Sequence, residues 1–254
     1  MFTSEKPEQF SYIAFPHVNT CVSFFKGVKL NWANSNIKIH PDSNKNELCI
    51  EILGKYVQPI FIHYKGDFEE ITIIFKPFGF NQFIRGDLLD FAPEYSQPFT
   101  LDAWLRFSST LFEEETLVKK IEKLEEFLLD NFYEIENNSI SKAIQYLEDF
   151  DMNYSIEKVA GLCGLTSKTY QRNFLKNITC PPSEIKRIAR FRHSLNNRLL
   201  SKEIKSLTNL SYESGFYDQS YFIREYKKLT LLNPKEFFQT IAVLDENKMI
   251  WKIV

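Results

Sequence analysis

Four cysteines in 254 residues are too few, and too scattered, to hold a chain together by disulfides. Cys21, Cys49, Cys163 and Cys180 stand far apart with no C-x-x-C pair, so the expectation is reduced thiols in a cytoplasm. No segment approaches eighteen consecutive apolar residues, and the start MFTSEKPEQF lacks an apolar leader core, which argues against a membrane-spanning helix or a secretory signal. Also missing are G-x-G-x-x-G, G-K-[ST] and G-x-S-x-G sequences and any Cys/His nucleophile arrangement. Their absence removes the commonest dinucleotide, nucleotide and acyl-transfer chemistries.

Charge is scarce only in the total. The net value is −2, which taken whole would argue against nucleic acid. Residues 1–139 carry 13 Lys and Arg against 21 Asp and Glu, a net of −8, whereas residues 140–254 carry 18 against 12, a net of +6. That asymmetry places the electrostatic footprint on the C-terminal half. The length suits two domains, with 1–139 as a β-rich regulatory domain carrying a helical tail and 140–254 as a helical domain, the charge switching near Asn137–Asn138–Ser139.

The run Leu210–Lys228 (LSYESGFYDQSYFIREYKK) packs the signals of two short helices and a tight turn into one stretch. Tyr212, Phe216, Phe222 and Tyr226 are spaced as an inward face. Gly215 sits where the first helix must stop, and Asp218 where the second should be capped. Gln219, Ser220, Ile223 and Arg224 are then free at the exposed start of the second helix, where such side chains suit base edges or phosphates.

A second copy lies upstream. Placing Thr166 on Asp218 aligns Tyr170 with Phe222, Arg172 with Arg224, Phe174 with Tyr226 and Lys176 with Lys228, and one extra turn residue brings Gly164 onto Gly215. Val159 and Ala160 answer Leu210 and Ser211, small or aliphatic positions where two helices cross. Between the copies, Ser183–Leu200 begins at a candidate Ser183 cap after Pro181–Pro182 and carries Ile185, Ile188, Phe191, Leu195 and Leu199 at helical spacing. Eighteen residues of helix span about 27 Å, close to the roughly 34 Å between successive major-groove segments on one face of a duplex.

Residues from about 140 to 240 resemble the C-terminal DNA-binding domain of the AraC/XylS family of bacterial transcription regulators. The second copy carries the resemblance through Leu210, Ser211, Gly215, Phe216, Asp218, Gln219, Ser220, Tyr221, Phe222, Arg224, Tyr226 and Lys227, closing with Pro234. The first is looser, through Ala160, Gly164, Thr166, Tyr170, Arg172, Phe174 and Pro182. Where the family usually has a glycine after each reading helix, this chain has Thr179 and Leu231; a positive φ would strain either, so the exit turns are expected to differ locally. The resemblance implies a sequence-specific regulator that contacts double-stranded DNA through Ser167, Lys168, Gln171, Arg172 and Lys176 of the first copy and Gln219, Ser220, Ile223, Arg224, Lys227 and Lys228 of the second. Such a chain is expected to be an activator, to meet RNA polymerase, and to reside in the cytoplasm with the nucleoid.

The N-terminal half reads as short strands at Ser23–Phe25, Ile37–Ile39, Leu48–Leu53, Ile60–Tyr64 and Ile71–Phe75, separated by turns such as His40–Asn44 and Lys65–Asp67. The expected class is therefore α+β: a barrel- or sandwich-like β-rich domain with trailing helices, then an all-α domain of two helix-turn-helix units. Members of the family with such halves commonly bind a small molecule and dimerise through helices behind the strands. Glu113–Glu136, with Leu117, Ile121, Leu124 and Leu128 at four, three and four, reads as one amphipathic helix that covers its own domain or contributes to a homodimer. The rings of Phe24, Phe25, Tyr56, Phe61, Tyr64, Phe75, Phe78 and Phe80 either wall an apolar cavity for an unidentified small effector or fill a core.

Two other readings stay open. His17, His40 and His63 all fall in the β-rich half, where converging imidazoles would make a cupin-like metal enzyme or sensor, although no H-x-H pair with a following Glu is present. A protein-interaction module without DNA specificity would not explain the duplicated arginine register. The expectation is a chain with no enzymatic activity, metal or cofactor.

Overall fold

A computed structural model describes residues 2–3, 9–135, 139–199, 206–244 and 249–253; Asn137, Asn138 and Leu200 lie outside the described residues. In chain order the strands are β1 (Phe2–Thr3), β2 (Gln9–Ala14), β3 (Thr20–Lys26), β4 (Val28–Ala33), β5 (Asn36–Pro41), β6 (Leu48–Leu53), β7 (Ile60–Lys65), β8 (Glu69–Phe75), β9 (Ser96–Pro98), β10 (Ala242–Leu244) and β11 (Met249–Ile253). The helices are α1 (Leu88–Phe91), α2 (Asp102–Glu113), α3 (Leu117–Asn131), α4 (Ser139–Glu148), α5 (Ile156–Leu162), α6 (Ser167–Ile178), α7 (Pro182–Leu199), α8 (Leu207–Glu213), α9 (Gln219–Thr230) and α10 (Pro234–Thr240). The class is α+β, β-rich first and helical second. The sheets are open and close no barrel among the described residues.

The chain divides into two compact units. The first holds Met1–Ser11, Asn19–Gly54 and Ile62–Asn137; the second adds Tyr12–Val18 and Lys55–Phe61 to Asn138–Val254.

In the first unit an antiparallel sheet runs β1-β8-β3-β6-β9. Its centre, β3, is buried along almost its whole length, as its run of cysteine, valine and phenylalanine demands of a strand covered on both faces. Phe24 pairs with Ile50 of β6 and with Ile71 of β8. Helix α2 covers one face because Trp104, Phe107, Ser108, Leu111 and Phe112 recur at helical period and are all buried. Trp104 stacks on Phe24 with ring centroids 6.0 Å apart, and Phe107 stacks on Phe127 of α3 at 4.0 Å. Phe24, Phe75 and Phe80 are core residues of this cluster, so these three rings fill a core.

The expected single helix over Glu113–Glu136 is interrupted. Glu113 ends α2, Thr116 caps α3 by accepting from the Lys119 N–H, and α3 stops at Asn131. Leu124, Phe127 and Leu128 pack on the core, whereas Leu117 and Ile121 are exposed. The inward stripe is thus rotated towards Phe127, because the aromatic ring reaches the α2 core and the start of the helix overhangs it.

In the second unit, β10 pairs with β11, and β11 pairs antiparallel with the Tyr12–Ala14 stretch of β2. The second helix-turn-helix rests on a cluster of Ile188, Phe191, Leu195, Leu210, Phe216, Phe222, Tyr226, Leu229 and Phe237 that also takes in Ile13 and Phe15. Helix α7 begins one residue earlier than expected, with Pro182 at its first position and the amides of Glu184 and Ile185 reaching the Pro181 carbonyl. Ser183 is therefore not its cap. Proline at a helix start loses nothing, since its missing N–H would have no partner there.

Candidate nucleic-acid interface

Helices α6 and α9 are each placed by a cap. The Thr166 side chain accepts from the Thr169 N–H and opens α6, and that of Asp218 accepts from the Tyr221 N–H at 2.7 Å and opens α9. Gly164 and Gly215 turn the chain into each helix at φ +68° and +71°, angles that glycine takes without a Cβ penalty. On the inner face Tyr170 and Phe174 of α6 match Phe222 and Tyr226 of α9, and all four are fully buried. Val159, Ala160, Leu210 and Ser211 are buried as expected where helices cross. Phe216 is buried too, but Tyr212 is 62% exposed. With Leu210 and Ser211 inward, the 100° step per residue carries Tyr212 to the outside of α8.

The exit turns keep the conformation glycine would give. Thr179 and Leu231 adopt φ 59° and 63°, and their N–H groups close onto the Leu175 and Lys227 carbonyls. The expected departure does not occur: both residues accept the left-handed strain, because the turn satisfies carbonyls at the helix end.

With the inner faces fixed, the outer faces follow. Ser167, Lys168, Gln171, Arg172 and Lys176 of α6 are exposed, as are Ser220, Arg224, Lys227 and Lys228 of α9. Gln219 and Ile223 are half-buried. The Gln219 carboxamide oxygen accepts from the Thr208 hydroxyl at 2.8 Å, and Ile223 packs against the core cluster, so neither is as free as its position suggested. The Arg224 guanidinium lies 6.0 Å from the centre of the Tyr221 ring. Lys176 falls in the last turn of α6, and Lys227 and Lys228 in that of α9, where cations favour the negative end of the helix dipole.

Sequence reasoning missed the groups that hold these helices in place. Glu225, only 5% exposed at its side chain, accepts from Arg187 Nε of α7 at 2.5 Å, and Arg187 also reaches Glu184 at 2.5 Å. Tyr226 and Ser194 share a hydrogen bond of 2.6 Å between α9 and α7. Arg192 donates to the carbonyls of Phe15 and Pro16 at 2.6 and 2.7 Å. A buried acid on the inward side of a reading helix was the available signal for the first, since such an acid needs a cation.

The histidines do not converge. His63 is shared between Ser11 and Asn36, His40 contacts Asn31, and His17 meets the Tyr56 ring edge-on. No group of three potential metal ligands forms among the described residues, and no described helix is long and apolar enough to cross a membrane.

Residues 159–240 match the family model described as a helix-turn-helix domain. Solved structures similar to this chain include ToxT from Vibrio cholerae, at 12% identity over 94% of this chain and 96% of that one, with a TM-score of 0.48. A probable AraC family transcriptional regulator from Rhodopseudomonas palustris is 25% identical over 40% of this chain and 95% of its own, with a TM-score of 0.36. A regulator with an AraC-type DNA-binding domain from Chromobacterium violaceum is 20% identical over 39% and 87%, with a TM-score of 0.35. No curated protein matches the chain. Its residues 159–240 thus form a helix-turn-helix domain.

Proposed function

We propose that this chain is a sequence-specific transcription regulator whose α6 and α9 enter two successive major-groove segments of one duplex, and that residues 140–254 supply the reader while the β-rich half modulates it. The observation that carries the reading is the shared register: Arg172 and Arg224 are both exposed on the outer face of capped helices whose inner faces match residue for residue. Arginine in that position can meet guanine O6 and N7 in bidentate fashion. Lys168, Gln171, Ser220 and Gln219 flank the arginines as further base or sugar contacts. Ser167, Lys176, Lys227 and Lys228 are assigned to phosphates, which set affinity and register without choosing sequence. Ile223, half-packed on the core, presents only its outer methyls, suited to a thymine methyl.

Helix α7, eighteen residues long, spans about 27 Å and supplies the separation that two groove entries one helical turn apart require. Activation, contact with RNA polymerase, homodimerisation and a location with the nucleoid complete the proposed reading. Selection from a randomised duplex pool tests it. The enriched sites should hold two short conserved blocks about 10 base pairs apart, centre to centre. A pool that converges on one block, or on none, contradicts reading by both helices.

A further inference from the structure

The β-rich unit holds an open cavity of about 220 Å³ that belongs to none of the DNA-reading elements. Its lining follows from the two-residue period of strands: Val28, Leu30 and Trp32 share one face of β4, and Cys49 and Glu51 share one face of β6, with Pro98 of β9 paired beside Glu51. Glu51 is 6% exposed. Its Oε1 accepts from the Trp32 indole N–H at 2.8 Å and from the Ser96 hydroxyl, and its other oxygen has no hydrogen-bond partner among the described residues.

Charge around the cavity is unbalanced. The one lysine on its wall, Lys29, is tied to Asp42 at 3.2 Å. Glu47 and Glu51 line the same space with no cation beside either among the described residues. Burial pushes the Glu51 carboxyl up to about 7, as expected of an acid held in a dry wall without a positive partner. An anion would face two uncompensated carboxyl groups there. A metal ion would lack ligands, since no group of three donors forms among the described residues.

We propose that this cavity binds a small organic cation, a primary amine on a short apolar or aromatic body, with its ammonium on the open Glu51 oxygen and its body against Val28, Leu30 and the Trp32 ring. The ammonium supplies the missing donor and charge together, and an indole face attracts cations. The volume lies below the roughly 300–1,000 Å³ of drug-sized sites, which limits the ligand to a small one.

The test is calorimetric titration of the full chain with three probes of one shape, phenethylamine, 2-phenylethanol and 3-phenylpropionate. The amine should bind roughly tenfold or more tighter than the alcohol, and the carboxylate weakest. Glu51→Gln keeps an oxygen for Trp32 and Ser96 but removes the charge, so the amine should fall to the level of the alcohol. Equal binding of amine and alcohol, binding that the variant leaves unchanged, or no binding of the amine would overturn the proposal. Should the variant fail to fold, the order of the three probes on the unaltered chain decides alone.

Discussion

Tyr170 and Phe222 stand at the same point of α6 and α9 and both are fully buried, yet only the first carries a hydroxyl, and that hydroxyl has no hydrogen-bond partner among the described residues. One turn further on, the pair is reversed. Phe174 in the first copy faces Tyr226 in the second, whose hydroxyl is satisfied by Ser194. Burial pushes both phenols upward, but only Tyr226 is compensated. The same register therefore fixes cap, turn and inner face in both copies, while the polar atoms are settled by whatever each copy packs against.

The second copy packs against a different part of the chain. Its core takes in Ile13 and Phe15 from β2 and the segment after it, with the Phe15 and Phe237 rings 4.9 Å apart. It also contains the Glu225–Arg187 pair, where the first copy has Asn173 at the position of the acid. The first copy makes neither attachment among the described residues. A helix pair that looks autonomous in sequence is thus anchored to residues more than a hundred positions away.

The largest effect should come from that anchor. Phe15→Ala is expected to cost about 3–5 kcal/mol, as a fully buried phenylalanine does on truncation, and the loss should appear first in hydrogen-exchange protection of α8, α9 and α10, with α5 and α6 less affected. Uniform loss across both copies would remove the distinction drawn between them. Arg187→Met should cost about 2–4 kcal/mol, because Glu225 would keep only Lys228, 3.6 Å away, as a counter-charge. Urea unfolding of the variant with and without Glu225→Leu checks it: the double change should recover most of the loss.

Much of this region is legible from residue order. Thr166 and Asp218 announce themselves as caps because a short acceptor side chain before an apolar-periodic run has few other uses. Strand β6 emerges with its expected bounds, Leu48–Leu53. Strand β4 was legible but not read, since Val28, Leu30 and Trp32 alternate with Lys29 and Asn31 at the strand period, whereas Ser96–Pro98 of β9 is too short to show one. At the interface, the outward arginines follow from the buried faces opposite them. The engagement of Gln219 by Thr208 and of Glu225 by Arg187 does not, because those partners sit on other helices and no local period encodes them.

Smaller effects separate the copies further. Leu231 is 60% exposed and holds its left-handed φ with no side-chain bond, so Leu231→Gly should stabilise by about 1 kcal/mol. Thr179→Gly should gain less, since it gives up the Thr179 hydroxyl bond to the Ile178 carbonyl at 2.7 Å. Thermal unfolding of the two variants side by side ranks them, and the reverse order would contradict the account of the exit turns. Tyr170→Phe should be neutral or stabilising by up to about 1 kcal/mol, because it removes an unpaired buried hydroxyl. The same change at Tyr226 should destabilise by breaking the bond to Ser194.

Whether α6 and α9 read two separate blocks of sequence is decided by base-substitution binding with arginine variants. Affinity of the full chain is measured on its selected duplex and on duplexes altered in one block at a time, for the unaltered protein, Arg172→Ala and Arg224→Ala. Each variant should lose about 1–3 kcal/mol on the selected site and become indifferent to changes in one block only, a different block for each. Lys228→Ala should weaken every duplex alike and flatten the salt dependence. If both arginine variants lose affinity equally on specific and altered duplexes, the helices bind phosphate and do not read bases.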